Sequence, residues 1–121
     1  MYGKGLKGKA TRLHAATVRA RGACERCGAA TNLQCAHIVS RRYSATRCDL
    51  TNAWCLCAGC HLELTHDPFK HVQFAIETRG DDGYAALRHA ASSNARPWKD
   101  ADWQNAIDTL TRHAEENGLV L

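Results

Sequence analysis

The chain has 121 residues, enough for one compact domain with a modest core, and 45% of them are hydrophobic. No apolar run reaches the roughly 18 residues of a membrane span, and no charged segment followed by an apolar one marks secretion. The net charge of +4 divides into +9 over residues 1–47 (ten basic, one acidic) and −5 over residues 48–121 (six basic, eleven acidic), an asymmetry that favours a polyanionic partner such as nucleic acid.

The N-terminal region is predicted to be a basic arm followed by a helix. Residues 1–9 contain three glycines and the three lysines Lys4, Lys7 and Lys9, a composition typical of a flexible segment that can contact a DNA backbone. Residues 10–21 contain good helix formers and no Gly or Pro, and Gly22 suits a helix end.

The cysteines are spaced for a metal. Seven cysteines, an odd number, with no secretion signal do not suit a disulfide framework. Two C-x2-C pairs, Cys24 with Cys27 and Cys57 with Cys60, each place two thiolates within reach of one tetrahedral ion. The two pairs together predict a structural zinc site, in which Cys55 is a less well-spaced alternative to Cys57.

A short hairpin is predicted between the two cysteine pairs. Residues 33–39 are predicted to form a strand with Cys35 and His37 on one face and Ala36 on the other. Residues 40–49 form a polar, arginine-rich loop, and residues 50–56 form a second strand. Residues 58–65 are helical in character and follow directly.

The rest of the chain is predicted to be helical. Asp67-Pro68 is a good N-cap and first-turn pair for a helix that reaches about Thr78 and ends at Gly80. Residues 82–92 form another helix. The clearest helix covers residues 100–117, where apolar side chains recur at helical spacing: Trp103, Ile107, Leu110 and Ala114.

Three polar residues stand in a fixed order around the second cysteine pair: His37 after an apolar strand, Asn52 before the pair and His61 directly after it. This order, with a C-x2-C on each side, resembles the HNH nuclease family over residues 22–66. The stretch from His37 to Arg42 (HIVSRR) and the TRCD stretch before Asn52 are similar to small phage or prophage nucleases of the recombination type.

The resemblance implies a fold and a domain plan. The expected fold is α+β and mostly helical, with a zinc-stapled ββα-metal core, a short β-hairpin and additional helices. One HNH-type domain would cover residues 1–121. It would consist of the basic arm at 1–9, the two C-x2-C pairs (zinc knuckles) and the ββα-metal core at 22–66, and a helical extension at 67–121.

The resemblance also implies a metal-dependent endonuclease that hydrolyses DNA, duplex or branched, with little sequence preference. His37 would be the general base, Asn52 would orient it or bind metal, and His61 would bind a catalytic divalent cation (Mg²⁺, Mn²⁺, Ni²⁺, Co²⁺ or Zn²⁺). The DNA phosphates would be bound by Arg41, Arg42 and Arg47. Such proteins act in the bacterial cytoplasm, and phage packaging or recombination proteins are possible partners.

One departure from the family opens alternatives. The family usually has Asp or His as a metal ligand before the base, where this chain has Ala36. His66 is a candidate replacement, and His37 could itself bind metal. Two further alternatives do not depend on Ala36: Asn52 could cap a turn, and His61 could replace Cys60 at the zinc. The second hypothesis for the whole chain is therefore a zinc-stabilised DNA-binding module that has lost catalysis.

Overall fold

The computed structural model describes residues 5–93 and 96–121. The elements are, in order, α1 (Gly5–Arg19), β1 (Leu33–His37), α2 (Ser44–Arg47), a 3₁₀ turn (Leu50–Asn52), β2 (Ala53–Cys57), α3 (Ala58–His66), α4 (Pro68–Ser92) and α5 (Asp100–Glu116). The predicted α+β class is confirmed, since helices predominate around one two-stranded antiparallel sheet. Within the described ranges, no helix combines the length and the apolar character needed to cross a membrane.

The hairpin separates its side chains onto two faces, as the alternation predicts. Cys35 lies opposite Cys55, and Ala36 lies opposite Trp54. Cys35 packs against a buried cluster that contains Cys55 and Val18 of α1, whereas Ala36 and Trp54 belong to a cluster on the other face. Each face of the sheet is therefore covered by different helices.

The helices form layers on both sides of this hairpin. On one side α1 contacts the sheet, and α5 packs on α1 through Trp103 and Ile107, which surround Ala10. On the other side α3 and α4 enclose the larger core, whose buried members are Cys24, Ala36, Ile38, Trp54, Leu56, Leu64, Ala75 and Leu87. The β1 strand is thus held between two helical layers.

The N-terminal helix is longer than predicted. It begins at Gly5, so residues 5–9 of the predicted flexible arm are helical; residues 1–4, with Lys4, lie outside the described residues. Leu6 packs in the cluster of Ala10 and Trp103. This burial outweighs the low helix propensity of the glycines, a tertiary effect that local composition does not report.

The region before β2 also differs from the prediction. The strand begins at Ala53 rather than at residue 50, and residues 50–52 form a 3₁₀ turn. The Asp49 carboxylate accepts hydrogen bonds from the backbone N and Oγ1 of Thr51, at 2.8 and 2.7 Å, which bends the chain out of extended geometry. The predicted arginine-rich loop likewise contains the single turn α2.

The C-terminal helices agree with the prediction. The Asp67 carboxylate caps α4 by accepting a hydrogen bond from the Lys70 backbone N at 3.1 Å. Gly80 has φ 77° and interrupts the helical geometry of α4, where the sequence predicts a break. The four predicted core positions of α5 are all buried.

Thr46→Val is expected to stabilise the protein by about 1 kcal/mol. Among the described residues, the fully buried Thr46 hydroxyl has no hydrogen-bond partner, and an unsatisfied buried polar group is costly. Valine has nearly the same shape without the hydroxyl. Urea unfolding would measure the change, with Thr17→Val as the control, because the Thr17 hydroxyl donates to the Leu13 carbonyl at 2.7 Å. Equal effects at both positions would contradict the prediction.

Candidate metal centres and catalytic groups

The four cysteines of the two C-x2-C pairs come together at one end of the hairpin. The Sγ atoms of Cys24, Cys27, Cys57 and Cys60 all lie within 4.8 Å of one another. The first pair sits in a turn closed by the Gly28 N–H, which donates to the Cys24 carbonyl at 2.8 Å while Gly28 has φ 82°. Cys57 ends β2, and Cys60 lies in the first turn of α3.

The electrostatics of this cluster favour a cation. Burial raises the pKa of Cys60, and the hydrogen bonds of the neighbouring thiols raise it further, to about 12. Burial acts in the same direction on Cys24, but hydrogen bonds to backbone groups lower its pKa to about 6. Four adjacent thiols cannot ionise together without a positive charge between them. The four cysteines could therefore hold a structural metal such as zinc.

The cluster also decides between the sequence alternatives for its ligands. Cys55 is fully buried on the α1 face of the hairpin and is not one of the four sulfurs that lie within 4.8 Å of one another, whereas Cys57 is, as predicted. The His61 ring is hydrogen-bonded to Gln34, and Cys60 completes the group of four sulfurs.

His37 lies at the last position of β1 with its ring held by the loop that follows. Its Nε2 is 2.8 Å from the Arg47 carbonyl, and because a carbonyl only accepts, Nε2 carries the proton and Nδ1 the lone pair. Burial lowers the pKa of His37, and the positive charges of Arg47 and Arg41 lower it further. The ring is therefore neutral at pH 7.

Asn52 does not orient this ring. Its side chain is fully buried and accepts from the Val39 backbone N at 2.9 Å, and it donates to the carbonyls of Val39 and Thr46 at 3.0 and 3.1 Å. These three bonds join the end of β1 to α2. The group that is hydrogen-bonded to the His37 ring is the Arg47 carbonyl, and the bonds of Asn52 agree with the alternative that Asn52 caps a turn.

His61 and His37 line two neighbouring surface depressions. Gln34, His61 and Thr65 line one of about 350 Å³, and His37, Leu64 and Thr65 are among the residues that line another of about 400 Å³. Thr65 belongs to both, so the two histidines flank the same residue of α3. His61 Nδ1 is 2.7 Å from Gln34 Oε1, and burial lowers the pKa of His61.

Ala36 stands where the family usually has a metal ligand, and His66 is the candidate replacement. Ala36 is 3% exposed and points into the core beside Trp54. His66 is exposed at the last position of α3. Among the described residues, His66 belongs to neither group of three or more potential metal ligands.

The basic residues divide into exposed and structural ones. Arg41 and Arg42 are exposed, and Arg42 packs over the Tyr43 ring at 4.7 Å. Arg47 donates to Thr11 Oγ1 at 3.0 Å and to the Arg41 carbonyl at 3.1 Å, which ties the loop to α1. Lys7 and Lys9 are exposed on α1, with Lys7 over the Trp103 ring at 5.8 Å.

A second cluster of potential metal ligands is present that the sequence prediction missed. His14 of α1 meets Cys35 and His37 of β1, and their ligand atoms lie within 4.8 Å of one another. His14 is not among the site residues predicted from the sequence. The spacing of His14 could have indicated that it is buried, because Ala10, His14 and Val18 follow one another at four-residue intervals and so share one face of α1. All three are fully buried.

Comparisons with protein-family models, with curated proteins and with solved structures find no match to this chain.

Proposed function

We propose that this protein is a metal-dependent endonuclease of the HNH type that hydrolyses DNA phosphodiester bonds with little sequence preference. The observation that supports the proposal best is the environment of His37. Its imidazole is neutral and held at the end of the hairpin next to which the four cysteines meet, beside a surface depression and exposed arginines. The order of β1, β2 and α3, with a cysteine pair between the hairpin and the helix, is the order expected of a ββα-metal core and supports the proposal.

His37 is suited to activate water. The hydrogen bond from Nε2 to the Arg47 carbonyl fixes the tautomer, which leaves the Nδ1 lone pair to accept a proton. The lowered pKa keeps the ring unprotonated at neutral pH. A general base must be deprotonated before it acts, so both properties favour this role.

The charges around His37 are suited to a phosphate backbone. The positive charges of Arg41 and Arg47 act on the His37 ring, and Arg41 and Arg42 are exposed on the same loop. A phosphate attracted to this loop would lie beside the base. Contacts to phosphate fix position but do not read bases, which supports low sequence specificity.

His61 is the residue that fits a catalytic cation best. Its Nδ1–H donates to Gln34 Oε1, and its Nε2 lone pair is left for a ligand. A divalent cation bound there would supply positive charge to the phosphate and the leaving oxygen. Gln34 thus sets the ring orientation of His61, as the Arg47 carbonyl does for His37.

The second candidate function is a zinc-stabilised DNA-binding module without catalysis. The observation that favours it is the position of Ala36, which is buried beside Trp54 where the family usually has a metal ligand. This module would share the cysteine cluster and the basic loop with the nuclease, and would lack only the cleavage step.

Cleavage of supercoiled plasmid tests the nuclease. With Mg²⁺, Mn²⁺, Ni²⁺ or Co²⁺ present, the wild-type protein is expected to nick or cut the plasmid, and His37→Ala is expected to reduce the rate by about 10²–10⁴-fold, the usual contribution of a general base. His89→Ala is the matched control, because His89 is exposed on α4 and outside both depressions lined by His37 and His61.

Two outcomes would contradict the nuclease. If the wild-type protein binds the plasmid but leaves it intact with every cation, the DNA-binding module is correct. If folded His37→Ala cleaves at the wild-type rate, His37 is not the base.

A further inference from the structure

The cluster of His14, Cys35 and His37 lies between α1 and the hairpin. His37, at the end of β1, also borders the depression lined by Leu64 and Thr65 of α3. His14 is fully buried, and Cys35 and His37 are half-buried at alternate positions of β1. His14 Nδ1 is 3.8 Å from Cys35 Sγ, and the two imidazole rings stack with their centroids 5.4 Å apart. One nitrogen from each ring and one sulfur therefore converge in a small volume.

Both rings are held in the manner of metal-binding histidines. His14 Nε2 donates to the Asp49 carbonyl at 3.0 Å, and His37 Nε2 donates to the Arg47 carbonyl at 2.8 Å. Metal-ligating histidines commonly donate their other ring N–H to such a carbonyl, which fixes the tautomer and the ring orientation. Each ring then offers one lone pair.

The protonation states of the two imidazoles agree with this geometry, whereas burial raises the pKa of the Cys35 thiol to about 11, so a metal must displace the proton of that thiol. Burial lowers the pKa of His14 to about 4 and also lowers the pKa of His37. Two stacked imidazoles of this kind are neutral at pH 7, the form that binds metals. Packing alone does not require two histidines and a thiol at the same point of the interface.

We propose that His14, Cys35 and His37 form a second metal site, which binds Zn²⁺ or a similar borderline-soft ion with three protein ligands and one open position. Two imidazoles and one thiolate favour Zn²⁺ and Co²⁺ over Mg²⁺. With three ligands instead of four thiolates, this site binds more weakly than the cluster of Cys24, Cys27, Cys57 and Cys60 and fills after it.

The site gives His37 a second role that excludes the first. A neutral imidazole has one lone pair, so a metal-bound His37 cannot accept a proton. Zn²⁺ or Co²⁺ in excess over the amount that supports catalysis would then stop cleavage by removing the base, a consequence that rests on the proposed function. Metal binding itself does not rest on it, since no nucleic acid or catalysis is involved.

Cobalt binding tests the site directly. Protein that carries one zinc per chain in the four-cysteine cluster is titrated with Co²⁺ in the absence of DNA, and the thiolate-to-cobalt charge-transfer absorption is recorded. One further Co²⁺ per chain with this absorption is expected, because Zn²⁺ binds such a cluster more tightly than Co²⁺ and is not displaced. Cys35→Ser is expected to abolish the absorption, and His14→Gln to weaken Co²⁺ binding at least 10-fold.

Cys48→Ser is the matched control, because Cys48 is another half-buried cysteine that belongs to neither cluster. Retention of one zinc per chain shows that each variant is folded. A wild-type protein with no cobalt–thiolate absorption would overturn the proposal, as would Cys35→Ser that keeps it. Plasmid cleavage is measured separately, so a nuclease that fails and a metal site that fails give different results.

Discussion

Removing the metal from the four-cysteine cluster is expected to unfold the protein. The cluster joins the turn of Cys24 and Cys27 to the end of β2 and the start of α3. The turn is also held by hydrogen bonds of Glu25 to Cys55, which contribute only about 1 kcal/mol each, and by the exposed ion pair of Arg26 with Glu63, which contributes little. Structural zinc sites of this kind bind with an apparent free energy on the order of 10–16 kcal/mol at neutral pH, which is also folding free energy. A strong chelator should therefore abolish cooperative thermal unfolding.

Cys27→Ser isolates the contribution of the metal. The Cys27 side chain is exposed, so without a metal its replacement would change stability by less than about 0.5 kcal/mol. If Cys27 is a zinc ligand, its replacement should instead lower the free energy of unfolding by several kcal/mol and release the bound metal. Cys48→Ser, away from the cluster, is expected to retain both. Zinc analysis by mass spectrometry and urea unfolding would measure these quantities.

The metal content of the native protein also tests the zinc site. A native preparation with about one zinc per chain is expected. Protein purified without metal, with free thiols and with Cys27→Ser as stable as the wild type, would remove the zinc site and its role in folding.

The parts of the fold that could be predicted from sequence are those set by local chemistry. The cysteine spacing determines which thiols meet, the alternation along β1 determines which face each side chain takes, and Asp67 with Gly80 sets the limits of a helix. The buried positions of α5 follow from helical periodicity alone. In the helices and the strand the deciding residues are close together in the chain, and in the cysteine cluster each C-x2-C pair is itself a local pattern.

The features that could not be predicted depend on distant contacts. The helix at Gly5 forms because Leu6 packs near Trp103, almost a hundred positions along the chain. His14 meets Cys35 and His37 only because α1 covers one face of the hairpin. The resemblance on which the site was predicted covers residues 22–66, so it carries no information about a residue of α1.

The role of Asn52 could not be predicted for the same reason. Asn52 belongs to the motif that resembles the nuclease family, but in the folded protein its amide contacts backbone groups of the loop.

Asn52→Ala is expected to destabilise the protein by about 3–5 kcal/mol. The change removes three hydrogen bonds, one of them fully buried, and takes from the Val39 N–H and carbonyl their partner in Asn52, whereas the Thr46 carbonyl keeps a hydrogen bond from the Asp49 N–H. Asn105→Ala, at an exposed position of α5, should change stability by less than about 0.5 kcal/mol.

Stability and cleavage must be measured together to separate structure from catalysis at this residue. If Asn52 holds the end of β1 against α2, the urea midpoint falls, and the variant that remains folded at low temperature loses activity only because His37 and Arg47 are less well fixed. If Asn52 instead contacts the reacting groups, cleavage falls by orders of magnitude while the urea midpoint stays at the wild-type value. The hydrogen bonds of Asn52 go to backbone atoms on both sides of the loop, and for that reason we expect the first result.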